Sequence, residues 1–102
     1  MERAMIIVAG WIDVDASERD AYLAARTEGM IKTRQEPGCI EFVFSADPIL
    51  PGRSRLFEIW ESREHLDTHL GIMRSNPAPA GGIAVVGREV LTYDVSSSAP
   101  IG

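Results

Sequence analysis

Cysteine is almost absent from this chain of 102 residues: Cys39 stands alone, so no disulfide can close within the chain and no Cys-x-x-Cys metal or redox motif exists. Lysine is as scarce, with Lys32 the single lysine among 10 basic residues and arginine supplying the rest. Arginine's planar fork recognises carboxylate and phosphate, but a base-composition bias produces the same skew, and no basic cluster accompanies it. The 15 acidic residues leave a formal charge of −5. A nucleic-acid backbone or an anionic membrane surface therefore meets net repulsion, and neither is an expected partner. Long apolar runs are missing too: the N-terminus, Met1-Glu2-Arg3-Ala4-Met5, leads into about eight apolar residues before Asp13, too few to span a bilayer and without a small-residue cleavage site. With no targeting signal and one thiol, a reducing, cytoplasmic setting is expected. There is no internal repeat and no low-complexity tract beyond Ser96-Ser97-Ser98. No glycine-rich phosphate loop, nucleophile elbow or Ser/His/Asp order is present, which removes the familiar nucleotide-binding and hydrolase readings.

What is there is ordinary globular composition, 45% hydrophobic and 25% charged, at a length that suits one domain. A core over about residues 5–95 is expected, with 96–102 a flexible tail. Met5 to Val14 is rich in β-branched and aromatic residues and reads as a strand. Ser17 with Asp20 three residues on reads as a capping-box start for a helix that runs to Glu36 and is stopped by Pro37-Gly38. Tyr22, Leu23, Arg26, Met30 and Thr33 share one face of it, which sets Arg26 inside an apolar stripe: either its stem packs and its head snorkels out, or it points into a pocket. Cys39 to Asp47 and Arg53 to Glu61 read as strands joined by a turn at Pro48 to Gly52. Ser62 caps a second helix reaching about Arg74, with Leu66, Leu70 and Met73 as its core stripe. Asn76 to Gly82 is irregular, with a brief helical turn after it, and Arg88 to Val95 is the last strand.

The order β-α-β-β-α-β is that of the α+β ferredoxin-like fold, a four-stranded antiparallel sheet with two helices on one face. In the first strand both alternating sets are apolar, Met5, Ile7, Ala9, Trp11 and Ile6, Val8, Gly10, Ile12. In the second, Ile40, Phe42 and Phe44 face one way and Cys39, Glu41 and Val43 the other; in the third, Leu56, Glu58 and Trp60 oppose Phe57 and Ile59. Two helices cover one face only, so the open face is expected to pair with another copy, as an isologous homodimer.

Glu58, between Leu56 and Trp60, must be paired, hydrogen-bonded or protonated: an ion pair with Arg26 or Arg88, or a polar anchor inside a ligand cavity. His65 and His69 stand one helical turn apart, but without a third ligand or the glutamate of a zinc-protease helix no metal is expected. His69 lies at the edge of the apolar stripe, a boundary histidine or a proton acceptor, with His65 further round toward solvent. Trp60 and Trp11 are strand residues that serve a core or a site, and Cys39 reads as a small buried hydrophobe.

Glu36-Pro37-Gly38-Cys39 after the first helix, then Arg55, Glu58, Trp60 and Ser62 leading into the second, then His69 within it, together resemble the antibiotic biosynthesis monooxygenase (ABM) domain family over nearly the whole chain. The resemblance implies a dimeric α+β barrel with a pocket in each subunit between sheet and helices. It implies oxidation of a small aromatic phenol, hydroquinone or anthrone by O₂ with no metal, flavin or haem. By position it makes His69 the proton acceptor, Trp60 an aromatic wall with an N–H donor, Glu58 an orienting group and Arg26 or Arg88 a counter-charge, with Phe42, Phe44 and Trp11 as apolar surface. The haem-degrading branch needs an asparagine on the first strand and a tryptophan on the second helix; this chain has Ala9-Gly10-Trp11-Ile12 and, at the helix position, His69. A dimeric module that binds a small aromatic molecule without turnover is the alternative from a different class.

Overall fold

The computed structural model describes residues 5–77 and 81–102. Residues 1–4, part of the stretch weighed above as a targeting signal, and 78–80, inside the segment expected to be irregular, lie outside the described residues. Strand β1 is Ile6–Asp13, helix α1 Arg19–Thr33, strands β2 and β3 Cys39–Ala46 and Arg53–Trp60, helix α2 Arg63–Ser75 and strand β4 Gly87–Asp94. The strands form one antiparallel sheet in the order β2-β3-β1-β4, the ferredoxin-like arrangement expected. No helix among the described residues is long and apolar enough to cross a membrane.

Helix α1 starts and stops differently from its expected bounds. Asp15, not Ser17, is the cap: its carboxylate accepts the Ser17 N–H at 3.0 Å and begins a short 3₁₀ turn, Ala16–Glu18, before the α-helix proper. At the other end the helix closes at Thr33, and Gln35 and Glu36 donate to carbonyls three residues back, at 3.1 and 3.0 Å. Pro37 cannot extend the helix, and Gly38 turns the chain at φ +81°. Glu36 is therefore a turn residue, free to aim its side chain away from the helix face.

The β2–β3 hairpin is held by Asp47, whose Oδ1 accepts the N–H groups of Ile49 and Leu50 at 2.8 Å each and whose Oδ2 accepts from Arg55 Nε at 2.9 Å. Arg19 ties α1 to this turn, donating to the carbonyls of Asp47 and Leu50 at 2.9 and 3.1 Å. A register irregularity between Cys39 and Glu41 turns Ile40 out to solvent, half exposed, where alternation had placed it beside Phe42 and Phe44. The outer edge of β2 is satisfied by α1: Arg34 Nε donates to the Phe42 carbonyl at 2.8 Å, and the Phe44 N–H donates to Met30 Sδ at 3.2 Å.

Ser62 caps α2 as expected, accepting the His65 N–H at 3.2 Å. The buried stripe is rotated from the expected one: Leu66 and His69 are buried, Met73 half-buried, and Leu70 is 41% exposed. Beyond α2, Gly81-Gly82 turns at positive φ and residues 83–86 are non-helical, so the expected helical turn does not form. Strand β4 then runs along the outer side of β1, where a Cβ at Gly10 would collide with the backbone of Glu89 and Val90. Glycine at that position lets β4 close in and Val90 pack against the core.

The core lies between sheet and helices, built from Ile6, Val8, Ile12, Tyr22, Phe42, Phe44, Leu56, Trp60 and Leu66. The other face carries rows that cross the strands, Val43–Phe57–Ala9–Leu91 and Ile59–Ile7–Tyr93, with Leu91 and Tyr93 about half exposed. No helix of this chain covers it.

Candidate functional site

Strand β3 places Glu58 and Trp60 on the helix side of the sheet, two residues apart and both buried, with Trp60 at 0% exposure. Trp60 donates its indole N–H to Glu58 Oε1 at 2.7 Å. That is the partner Glu58 takes instead of the ion pair with Arg26 or Arg88. Burial pushes the Glu58 carboxyl above its usual range; the Trp60 N–H, then the nearby His69 and Arg26, offset part of that, and Glu36 adds to it.

His69 packs over this pair, its ring 4.9 Å from Trp60 at a tilt of 31° and edge-on to Phe42 at 5.5 Å. It is 4% exposed, a core residue and not the stripe-edge one that spacing implied. An imidazole is tolerated there because Glu36 Oε1 and Oε2 meet Nδ1 at 2.9 and 3.2 Å. An ionised carboxylate only accepts, so Nδ1 is the donor in this pair. Nε2 has no hydrogen-bond partner among the described residues, and it is not among their sealed unpartnered atoms, which are Arg19 Nε and Ser54 Oγ.

A cleft of about 370 Å³ opens between the C-terminal halves of α1 and α2 and the edge of β2. Its walls include Arg26, Met30, Glu36, Phe42, Phe44 and Met73. The Arg26 guanidinium lies 4.5 Å over the Phe44 ring, inside the cleft and not merely snorkelling from the stripe. His69, Trp60 and Glu58 do not line the cleft; they form a layer behind it, reached through Glu36 and Phe42, both of which touch His69.

The structure thus brings His69, Trp60, Glu58, Phe42, Phe44 and Arg26 together and leaves two expected residues out. Trp11 sits on the opposite face of the sheet, under the Arg53 guanidinium at 3.8 Å, because residues 7, 9 and 11 of β1 point away from the helices. Arg88 is exposed on the edge strand opposite Ile12, at the end of the sheet away from Trp60. Cys39 is half-buried against the core, its thiol pushed up by burial and by the carboxylates of Glu58 and Glu36, which keeps it inert. The residue that sequence reasoning left without a role is Glu36. Its signal was a carboxylate beside a helix-ending Pro-Gly, but nothing local pairs it with a histidine 33 residues on.

A ferredoxin-like domain with an aromatic-walled cleft whose lining carboxylate holds a buried histidine is the class this geometry defines. The profile of the antibiotic biosynthesis monooxygenase family matches residues 5–72. The chain belongs to that family. A solved structure from Deinococcus radiodurans, described as a candidate antibiotic biosynthesis monooxygenase, superposes at a TM-score of 0.80 with 23% identity over 95% of this chain and 98% of that one. Rv0793 from Mycobacterium tuberculosis superposes at 0.76 with 23% identity, over 94% and 99% of the two chains. A Chloroflexus aurantiacus protein of the same description reaches 26% identity at 0.69, over 96% and 99%. The uncharacterized protein sll1783 of Synechocystis sp. is 34% identical over 64 residues, which is 63% of this chain and 44% of that protein, so the match spans less than half of that relative's length.

Proposed function

We propose that the protein is a cofactor-independent monooxygenase that oxidises a small aromatic phenol, hydroquinone or anthrone with O₂. The observation that carries this reading is the Glu36–His69 pair, its imidazole buried against Trp60 and its carboxylate on the wall of an aromatic-lined cleft. Glu36 takes Nδ1–H, which leaves Nε2 of a neutral His69 as the nitrogen able to accept a proton; the carboxylate then stabilises the imidazolium that forms. Arg26 supplies the counter-charge for the substrate anion, Phe42 and Phe44 its apolar surface, and Trp60 with Glu58 fixes the plane on which the imidazole rests.

Removing one proton from an anthrone-type ring gives an anion that passes an electron to O₂. The resulting radical and superoxide join at the ring carbon as a peroxide anion, which takes the proton back from the His69 imidazolium to become a hydroperoxide. Loss of water with the remaining C–H leaves a carbonyl, so one oxygen atom ends in product and the other in water. The substrate provides the electrons, and the chain's task is to bind it, take the proton and exclude solvent.

The site belongs to a homodimer closed through the apolar rows of the open sheet face. One observation favours a second reading: His69 stands behind the cleft wall, so the cleft alone, with Arg26 over Phe44, also suits a binder of aromatic anions without turnover. Oxygen uptake measured against a panel of quinols, naphthols and anthrones, with a metal chelator present, separates the two. Protein-dependent uptake that puts one atom of ¹⁸O₂ into the product and releases no hydrogen peroxide supports the monooxygenase. Saturable binding of panel compounds without uptake rejects it in favour of the binder.

A further inference from the structure

The second histidine of α2 has no part in the chemistry above, yet it is as firmly engaged as the first. His65 and His69 lie one helical turn apart, and each meets the same tripeptide, Glu36-Pro37-Gly38, at a different end. His69 takes the Glu36 carboxylate at 2.9 Å. His65 lays its ring over Gly38, so closely that a Cβ on that glycine would fall on the ring carbons. Gly38 is in the left-handed region at φ +81°, so the approach and the turn both require glycine.

The His65 ring is itself held. The Ser62 hydroxyl accepts the His65 backbone N–H at 3.2 Å and meets Nδ1 at 2.7 Å, which fixes the imidazole from the helix N-terminus. On the far side the Gly38 carbonyl accepts the N–H of Glu61 at 2.8 Å, tying the turn to the residue just before the cap. The turn carrying Glu36 is thereby docked on the start of α2 at two points, the His65 ring and the Glu61 N–H, and His69 is the next residue that α2 presents to it.

We propose that His65, with Ser62 and Gly38, is a positioning clamp that sets the Glu36–His69 hydrogen bond. His65 touches neither cleft nor substrate; it acts by holding the Glu36 turn in register with α2, and its catalytic consequence rests on the function proposed above. The Ser62 hydroxyl orients the ring through Nδ1, but the contact that holds the Gly38 turn is packing through ring carbons, so a flat ring at residue 65 is what the clamp chiefly requires. Displacements of about an ångström in a catalytic pair cost on the order of 100-fold in rate.

The test reads His69 directly and needs no substrate. Long-range proton–nitrogen correlation on ¹⁵N-labelled protein reports which ring nitrogen carries the proton. The wild type is expected to show His69 as a single Nδ1–H tautomer. His65→Ala, which keeps the Ser62 cap on the backbone, is expected to give mixed tautomers, as is Gly38→Ala, whereas His65→Phe restores the wild-type pattern. Should His65→Ala lose its helical circular dichroism, His65→Leu, which retains bulk without a ring, carries the same comparison. An unchanged His69 in His65→Ala or His65→Leu, or a His65→Phe spectrum no better than theirs, overturns the clamp.

On a panel substrate, kcat of His65→Ala is expected to fall about 10- to 100-fold with KM within about twofold. Altered tautomers in His65→Ala with no oxygen uptake by the wild type from any compound leave the clamp standing and reject the monooxygenase; uptake by His65→Ala at wild-type rate with unaltered tautomers does the reverse.

Discussion

Trp60 gives its indole N–H to Glu58, two residues back on the same strand and 2.7 Å away, and the two side chains are buried together with no guanidinium in hydrogen-bond contact. A buried carboxylate satisfied by one neutral donor is poorly compensated, and its proton affinity in the folded state exceeds that in the unfolded chain.

Stability should therefore fall as pH rises from the ordinary glutamate value of 4.5 through the raised folded value, since over that window the folded state binds more protons than the unfolded one. Glu58→Gln keeps an acceptor oxygen for Trp60 and removes the charge. Its melting temperature relative to wild type should rise as pH climbs from 4.5 through the raised Glu58 value. Parallel thermal melts of both proteins check this, and a constant difference across the range contradicts it.

His69→Ala should lower turnover about 10²- to 10⁴-fold, the usual cost of a lost general base. A substrate whose hydroxyl is already ionised should recover much of that. Glu36→Gln, which can still accept Nδ1–H but cannot balance an imidazolium, should lie between His69→Ala and wild type. Steady-state oxygen uptake measures all three. Because His69 is buried, the melting temperature of His69→Ala should also drop, and normal turnover in a folded variant rejects its role.

Two backbone N–H groups of the hairpin turn, then Arg55, hold the Asp47 carboxyl down at about 2. A depressed folded value contributes stability that is full above the ordinary 3.8 and lost as pH falls through about 2. Asp47→Ala should thus destabilise the protein at neutral pH, and the gap to wild type should close in strong acid. Denaturant midpoints at several pH values decide it.

A charge at Leu91 should break the homodimer proposed here. Leu91 is 47% exposed at the end of an apolar row that crosses the sheet, and an unpaired carboxylate there opposes burial. Sedimentation should find wild-type dimers at micromolar concentration and Leu91→Asp monomers, with an interface above about 1,000 Å². A monomeric wild type defeats the prediction.

Alternation made β3 legible: Leu56, Glu58 and Trp60 face the helices and Phe57 and Ile59 face away. It also separated Trp11 from Ile6, Val8 and Ile12, so the strand pattern already held the information that keeps Trp11 out of the cleft; the apolar character of tryptophan outweighed it. The α2 stripe was misread at Leu70 because histidine counts as polar until its partner is known, and Glu36 lies on another element. Ile40 escaped because a bulge resets alternation, and a bulge has no local signature when no glycine marks it. The start of α1 moved because Asp15 and Ser17 are both good caps and only the geometry of the chain leaving β1 chooses between them.

Growth by strand addition needs two open edges, one to receive and one to offer. Here Arg34 and Met30 occupy the outward carbonyl and N–H of Phe42 and Phe44, so the β2 side is partly covered by the chain's own first helix. Among the described residues β4 is the edge without such side-chain cover, and two molecules that meet through it present only their partly covered β2 edges onward. A methionine sulfur and a guanidinium thus occupy groups that a propagating edge would need.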